Sequence, residues 1–149
     1  MLTQEEADNL ISELKEIREI SGAIPFPEPG IYQKLDLVSS DRERTYIVDI
    51  QRKGYMNYVK KCTYQGRYRK DIILLRLDID GPEHTNPGPD GEKLPKNHLH
   101  IYREGLDDKF AIPVPPNIKD TDDLIQTLID FLAYFKVTNA DSLEIETVM

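Results

Sequence analysis

The chain has one cysteine, Cys62, among its 149 residues. No disulfide can form within it, which suits a reducing compartment. No apolar run approaches the roughly 20 residues that a bilayer-spanning helix needs. The opening stretch, MLTQEEADNL, lacks the basic, apolar and small-residue zones of a secretory signal. A cytoplasmic protein without membrane attachment is therefore expected. Missing too are a Walker loop, a GxGxxG fingerprint, an HExxH helix and a serine-nucleophile elbow. The Asn86–Gly91 tract lacks the alternating acidic ligands of an EF-hand loop, which argues against calcium.

What is present is a charged chain of modest apolar content, 31% and 39% respectively. At this length it makes one domain, 1–149, with a two-layer core. The net charge of −8 opposes general nucleic-acid binding, yet the charge is unevenly spread. Residues 41–76 hold ten Lys or Arg against four Asp or Glu, a local +6 that leaves −14 for the remainder. Such a split can concentrate positive potential on one sheet face. It also matches strands that merely carry basic residues on a solvated side.

Periodicity gives the element order. Ala7, Leu10, Ile11, Leu14, Ile17 and Ile20 recur at helical spacing and predict a helix over 3–20, with Thr3 and Glu6 as a capping box. The prolines after Ile24 then enforce extended chain. Strands are predicted over 31–39, 44–51, 57–65, 71–78, 97–102 and 110–114, with a hairpin connection at 52–56 and a turn at Gly66. The 71–78 stretch (DIILLRLD) is the most apolar and is expected at the centre of the sheet. A second helix is predicted over 120–136, capped by Thr121 or Asp120, and a weak last strand over 142–147. Consecutive strands with short connections cannot make parallel crossovers. The expected fold class is α+β: an antiparallel sheet of about five to six strands, with an N-terminal and a C-terminal helix packed on one face. The other face is then open to solvent or a ligand.

All three histidines lie between 80 and 104. His84 sits in a loop of about 15 residues, a length that is often functional. His98 and His100 are two apart on the following strand, so they project to the same side while Leu99 and Ile101 face the core. If the strands 71–78 and 97–102 pair, the loop can bring His84 close to them. Paired histidines hold protons with different affinities and can supply an acid and a base near neutral pH. Three readings follow: acid/base chemistry on a phosphodiester without metal or cofactor, divalent-metal binding through the histidines, and plain structural hydrogen bonding. In the first, His98 and His100 are the acid/base candidates and His84 a third polar group. Arg67, Arg69 and Arg76 would bind phosphate, and Tyr64 or Tyr102 would orient the substrate. The interleaved segment Tyr64–Lys70 suits backbone contact and base stacking on single-stranded nucleic acid.

The block TYQGRYRKDIILLRLDIDGPEHTNP, followed by HLHIYREG, resembles a family of short uncharacterised proteins from bacteria and mobile elements, a domain of unknown function. The likeness runs from Tyr46 to about Val114 and implies one compact domain without an assigned activity. Arg76 with Asp78, then His84, then His98 and His100 are also similar to the R-x-D strand, loop histidine and H-x-H of the TumE-like toxins of toxin–antitoxin systems. That resemblance implies a toxin-like protein acting on RNA, with an antitoxin-like partner. A non-enzymatic alternative is an acidic interaction protein that presents Glu5, Glu6, Asp8, Glu13 and Glu16 to a partner protein.

Overall fold

A computed structural model describes residues 1–18, 24–53, 60–140 and 145–147, without the side chains of 24, 25, 146 and 147. Its main sheet has seven strands: β1 (Lys15–Ile17), β3 (Tyr32–Ser39), β4 (Thr45–Arg52), β5 (Cys62–Tyr68), β6 (Ile72–Ile79), β9 (His98–Ile101) and β10 (Ala111–Pro113), in the order β1-β3-β4-β5-β6-β9-β10. Every pairing in it is antiparallel. Two smaller pairings add to it. β2 (Ile24–Phe26) runs parallel to β11 (Ile145–Thr147), and β7 (His84–Thr85) pairs with β8 (Lys93–Leu94). The helices are α1 (Gln4–Ser12) and α2 (Leu124–Tyr134). No helix among the described residues is long and apolar enough to cross a membrane.

The α+β class and the antiparallel sheet agree with the sequence, whereas seven strands exceed the expected five to six. The additional strand comes from the predicted first helix. The capping box of Thr3 and Glu6 forms as expected, but the helix stops at Ser12, and Lys15–Ile17 becomes an edge strand beside β3. Tertiary contacts override helical periodicity here. Glu13 accepts from the Arg44 guanidinium and from the Tyr46 hydroxyl. Lys15 is fully buried, and its ammonium donates to the carbonyls of Ile11, Glu13 and Phe135 at 3.1, 2.9 and 3.0 Å. A continued helix would remove every one of these contacts. Glu16 lies on β1 beside Arg42, so Glu13 and Glu16 are not part of an acidic helix face.

The second helix starts at Leu124, capped by Asp123 rather than Thr121 or Asp120. Both helices cover the sheet face that carries Tyr46, Tyr64 and Gly66. The Tyr64 hydroxyl donates to the Leu124 carbonyl, and the Phe135 ring stands edge-on to Tyr46. Gly66 is not the predicted turn. It lies inside β5, where a Cβ would come within 2.8 Å of the Phe135 ring. The turn comes later, at Arg69, whose φ of 57° is left-handed. The predicted hairpin at 52–56 and the start of the predicted strand 57–65 fall largely outside the described residues.

The apolar strand β6 lies one place from the centre, which β5 occupies. A register shift explains why it reads as a near-continuous apolar run. Gly66 opposes Leu75 and Arg67 opposes Ile73, so Leu74 has no opposite number. This β-bulge lets Leu74 and Leu75 both be buried, while Arg76 and Asp78 emerge on the face away from the helices.

Candidate functional site

The face opposite the helices is polar, and register builds it row by row. One row runs Asp49, Gln65, Arg76, His100 across β4, β5, β6 and β9; the next runs Gln51, Thr63, Asp78, His98. Strand alternation requires His98 and His100 to share a side, and the β6–β9 pairing sets Asp78 and Arg76 beside them. The loop that carries β7 and β8 returns His84 to the same place. Its ring centroid is 4.7 Å from that of His100 and 5.5 Å from that of His98. The loop is anchored by Asn86, whose amide group exchanges two 2.8 Å hydrogen bonds with the backbone of Ala111 on the edge strand β10.

The hydrogen bonds fix the ring tautomers. Nδ1 of His98 is 2.6 Å from the Pro95 carbonyl, and Nδ1 of His100 is 2.8 Å from the Asp108 carbonyl. A carbonyl can only accept, so each Nδ1 carries the proton and each neutral ring turns an Nε2 lone pair inward. Arg76 confirms this at His100, because its Nη2 can only donate and lies 3.0 Å from Nε2. Both Nε2 atoms face one carboxylate oxygen, Asp78 Oδ2, at 3.4 Å from His98 and 3.3 Å from His100. Three acceptor atoms thus converge, all within 4.8 Å of one another. Both histidines are 2% exposed and the Asp78 side chain 16%.

Burial lowers the proton affinity of His98 and outweighs the Pro95 carbonyl and the Asp78 charge, which act the other way. Burial pushes the Asp78 carboxyl up, but its neighbours, the positive charge of Arg76 among them, more than offset it and leave its pKa below the usual value. Near neutral pH the centre therefore sets a neutral His98 ring against an ionised Asp78 carboxylate. Arg76 partly compensates: its Nε lies 3.3 Å from Asp78 Oδ1, and its Nη1 donates to Asp108 at 2.7 Å. Thr63 Oγ1 donates to Asp78 Oδ1 at 3.2 Å.

Not every residue expected at this site is there. His84, His98, His100 and Arg76 come together. Arg67 lies on the same face but is tied to Asp49 through Nε and Nη2 and to the Lys70 carbonyl through Nη1. Arg69 sits at the β5–β6 turn over the Tyr68 ring. Tyr64 is buried under α2, and the Tyr102 hydroxyl bonds the backbone of Leu2, so neither ring faces the histidines. Of two further groups at the centre, Asp78 entered the sequence reading only through the R-x-D resemblance, and Asp108 did not enter it. For Asp78 a signal existed: it is two residues from Arg76 on a strand, and so on the same side. Asp108 lies in the turn before β10, and nothing in its local sequence marks it.

The model of a family of unknown function (DUF6978) matches residues 2–137. The chain belongs to that family. The match extends well beyond the 46–114 block on which the resemblance rested, and it includes both helices and every residue of the histidine centre. Neither a curated protein nor a solved structure matches the chain.

Proposed function

We propose that this family member binds a divalent transition metal of the zinc type, held by His98 Nε2, His100 Nε2 and Asp78 Oδ2. The observation that carries the reading is the convergence of three acceptor atoms while the donor nitrogen of each ring is turned away onto a carbonyl. His98 Nε2 and Asp78 Oδ2 face each other without a donor between them, and His100 Nε2 has only the shared guanidinium of Arg76; a cation at their centre relieves this crowding of acceptors. Spacing supports the same view. A tetrahedral ion bonded at about 2.0–2.1 Å keeps its ligands about 3.3–3.4 Å apart; the two histidine–carboxylate separations match this at 3.4 and 3.3 Å, and the remaining pair of ligand atoms lies within 4.8 Å. Carbonyls on the outer ring nitrogens are the usual support for metal-ligating histidines. Three protein ligands leave a coordination position free, the arrangement that lets an ion act as a Lewis acid or activate water for hydrolysis.

The test is calorimetric titration of zinc into protein freed of metal by chelator and carrying no histidine tag. One ion per chain is expected, with binding lost in His98→Ala and in Asp78→Asn. Wild-type protein that takes up no zinc would sink the proposal.

A second reading keeps the histidines as a metal-independent acid/base pair acting on RNA, in the toxin-like or mobile-element setting that the sequence suggests. It is favoured by the lowered proton affinity of His98, which makes that ring a free base near neutral pH. Arg76 would then contact the phosphate, and Arg67 would have to leave Asp49 to help. RNA cleavage that resists chelator and disappears in His98→Ala would select this reading over the first.

A further inference from the structure

Arg76 spends its guanidinium in three directions: Nη1 on Asp108, Nε on Asp78, and Nη2 on the lone pair of His100 Nε2. The third of these bonds cannot coexist with a metal at His100, because an ion there takes the lone pair that Nη2 uses. Loading the centre therefore leaves Nη2 without its acceptor, about 3 Å from a metal ligand, on a side chain that is 28% exposed. An unpaired guanidinium donor in such a place costs free energy until an acceptor arrives.

Charge points the same way. The formal charges of Asp78, Asp108 and Arg76 sum to −1, and a divalent ion changes this to +1. In a poorly hydrated site that excess favours an anion. His84 does not fill the free coordination position. Its Nε2 donates to the Lys109 carbonyl at 2.9 Å, and it stands outside the group of converging ligand atoms.

We infer that the loaded centre takes a small oxyanion, a phosphoryl or carboxylate group, with one oxygen in the metal's free position and another accepting from Nη2 of Arg76. This rests on the metal reading above and gives it a ligand class. Metal and anion are then reciprocally coupled: each strengthens the other's binding, and the coupling runs through Arg76. Asp108 is the positioning residue that keeps the guanidinium beside the ion when His100 lets it go.

Cobalt(II) serves as the probe, because its visible absorption bands report ligand number and type. Wild-type protein, Arg76→Met and His98→Ala are titrated with cobalt alone, then with inorganic phosphate or acetate present. Cobalt should bind wild type and Arg76→Met but not His98→Ala. In wild type, phosphate or acetate should shift the bands and tighten cobalt binding about tenfold, within the usual range of such couplings. In Arg76→Met the tightening should fall below about twofold. A larger effect of phosphate than of acetate would assign a phosphoryl ligand, and the reverse a carboxylate. Bound cobalt whose spectrum ignores both anions would overturn the inference and leave the metal reading standing. An equal anion effect in Arg76→Met would also overturn it, since the ion alone would then be the receptor. Failure of wild type to bind cobalt would remove the metal reading and this inference together.

Discussion

Two carboxylates on the open sheet face, Asp49 and Asp78, stand close to the same rows of side chains and have opposite surroundings. Asp49 meets donors only: the Tyr32 hydroxyl, the Gln65 amide at 3.0 Å, and Arg67 Nε and Nη2 at 2.6 and 2.9 Å. Its neighbours satisfy it completely. Asp78 meets one hydroxyl and one shared arginine, and its other oxygen faces two imidazole lone pairs. The first is a closed ion pair and accounts for itself. The second has a surplus of acceptors, which a bound cation would offset. Ionisable groups alone do not mark the candidate site on this face, because both clusters have them. The balance of donors and acceptors does.

The contrast yields a graded set of expectations. The largest effect separates the two carboxylates by metal. Asp78→Asn should weaken zinc binding by more than about a hundredfold, beyond the loss typical of a supporting residue, whereas Asp49→Asn should leave it within about twofold, both read by calorimetry. Next comes stability. Asp49→Ala strands a largely buried guanidinium and should cost about 2–3 kcal/mol in denaturant unfolding. If it costs nothing, the closed pair is not structural and the comparison fails.

The third effect is pH dependence of the metal-free protein. The pKa of His98 is lowered from 6.5 on folding, so below about 6.5 the unfolded chain binds more protons than the native one. Stability from this group is complete above that pH and declines as pH falls toward the lowered value, by at most about 1.4 kcal/mol per pH unit. Asp49 and Asp78 also have lowered pKa values, but they lose their contribution only below the ordinary carboxylate value of 3.8. Lys15, whose burial lowers its pKa to about 7, and Glu13, lowered from 4.5, add slope at the two ends of the range, so equilibrium unfolding between about pH 5 and 6 should slope in wild type and slope less in His98→Asn. The smallest effect is the metal-free stability of Asp78→Asn. An amide can donate to an imidazole lone pair where the carboxylate could not, so the change should cost less than about 1 kcal/mol. A loss as large as that of Asp49→Ala would mean that Asp78 is a structural ion pair like its neighbour.

The sequence made much of the fold legible. Alternation located β3, β4, β6, β9 and β10 within a residue or two, and the Thr3–Glu6 box marked the start of α1. It failed where a local pattern was outvoted from afar. Ile17 continues a helical stripe, yet it lies in β1 because Glu13 and Lys15 find their partners on β4 and α2. Gly66 reads as a turn residue, yet it is there so that Phe135 can approach β5. At the site, spacing alone put His98 and His100 on one side, and loop length brought His84 into consideration.

What the linear order determined by itself is which side chains can share a face, because a strand repeats every two residues whatever surrounds it. What only the tertiary structure decided is which faces meet. The pairing of β6 with β9 set Asp78 against both histidines, and the carbonyls of Pro95 and Asp108 chose their tautomers. Arg67 was drawn to Asp49 and away from the histidines by the same sheet. Register and backbone hydrogen bonding are relations between distant segments, and no local pattern of residues contains them.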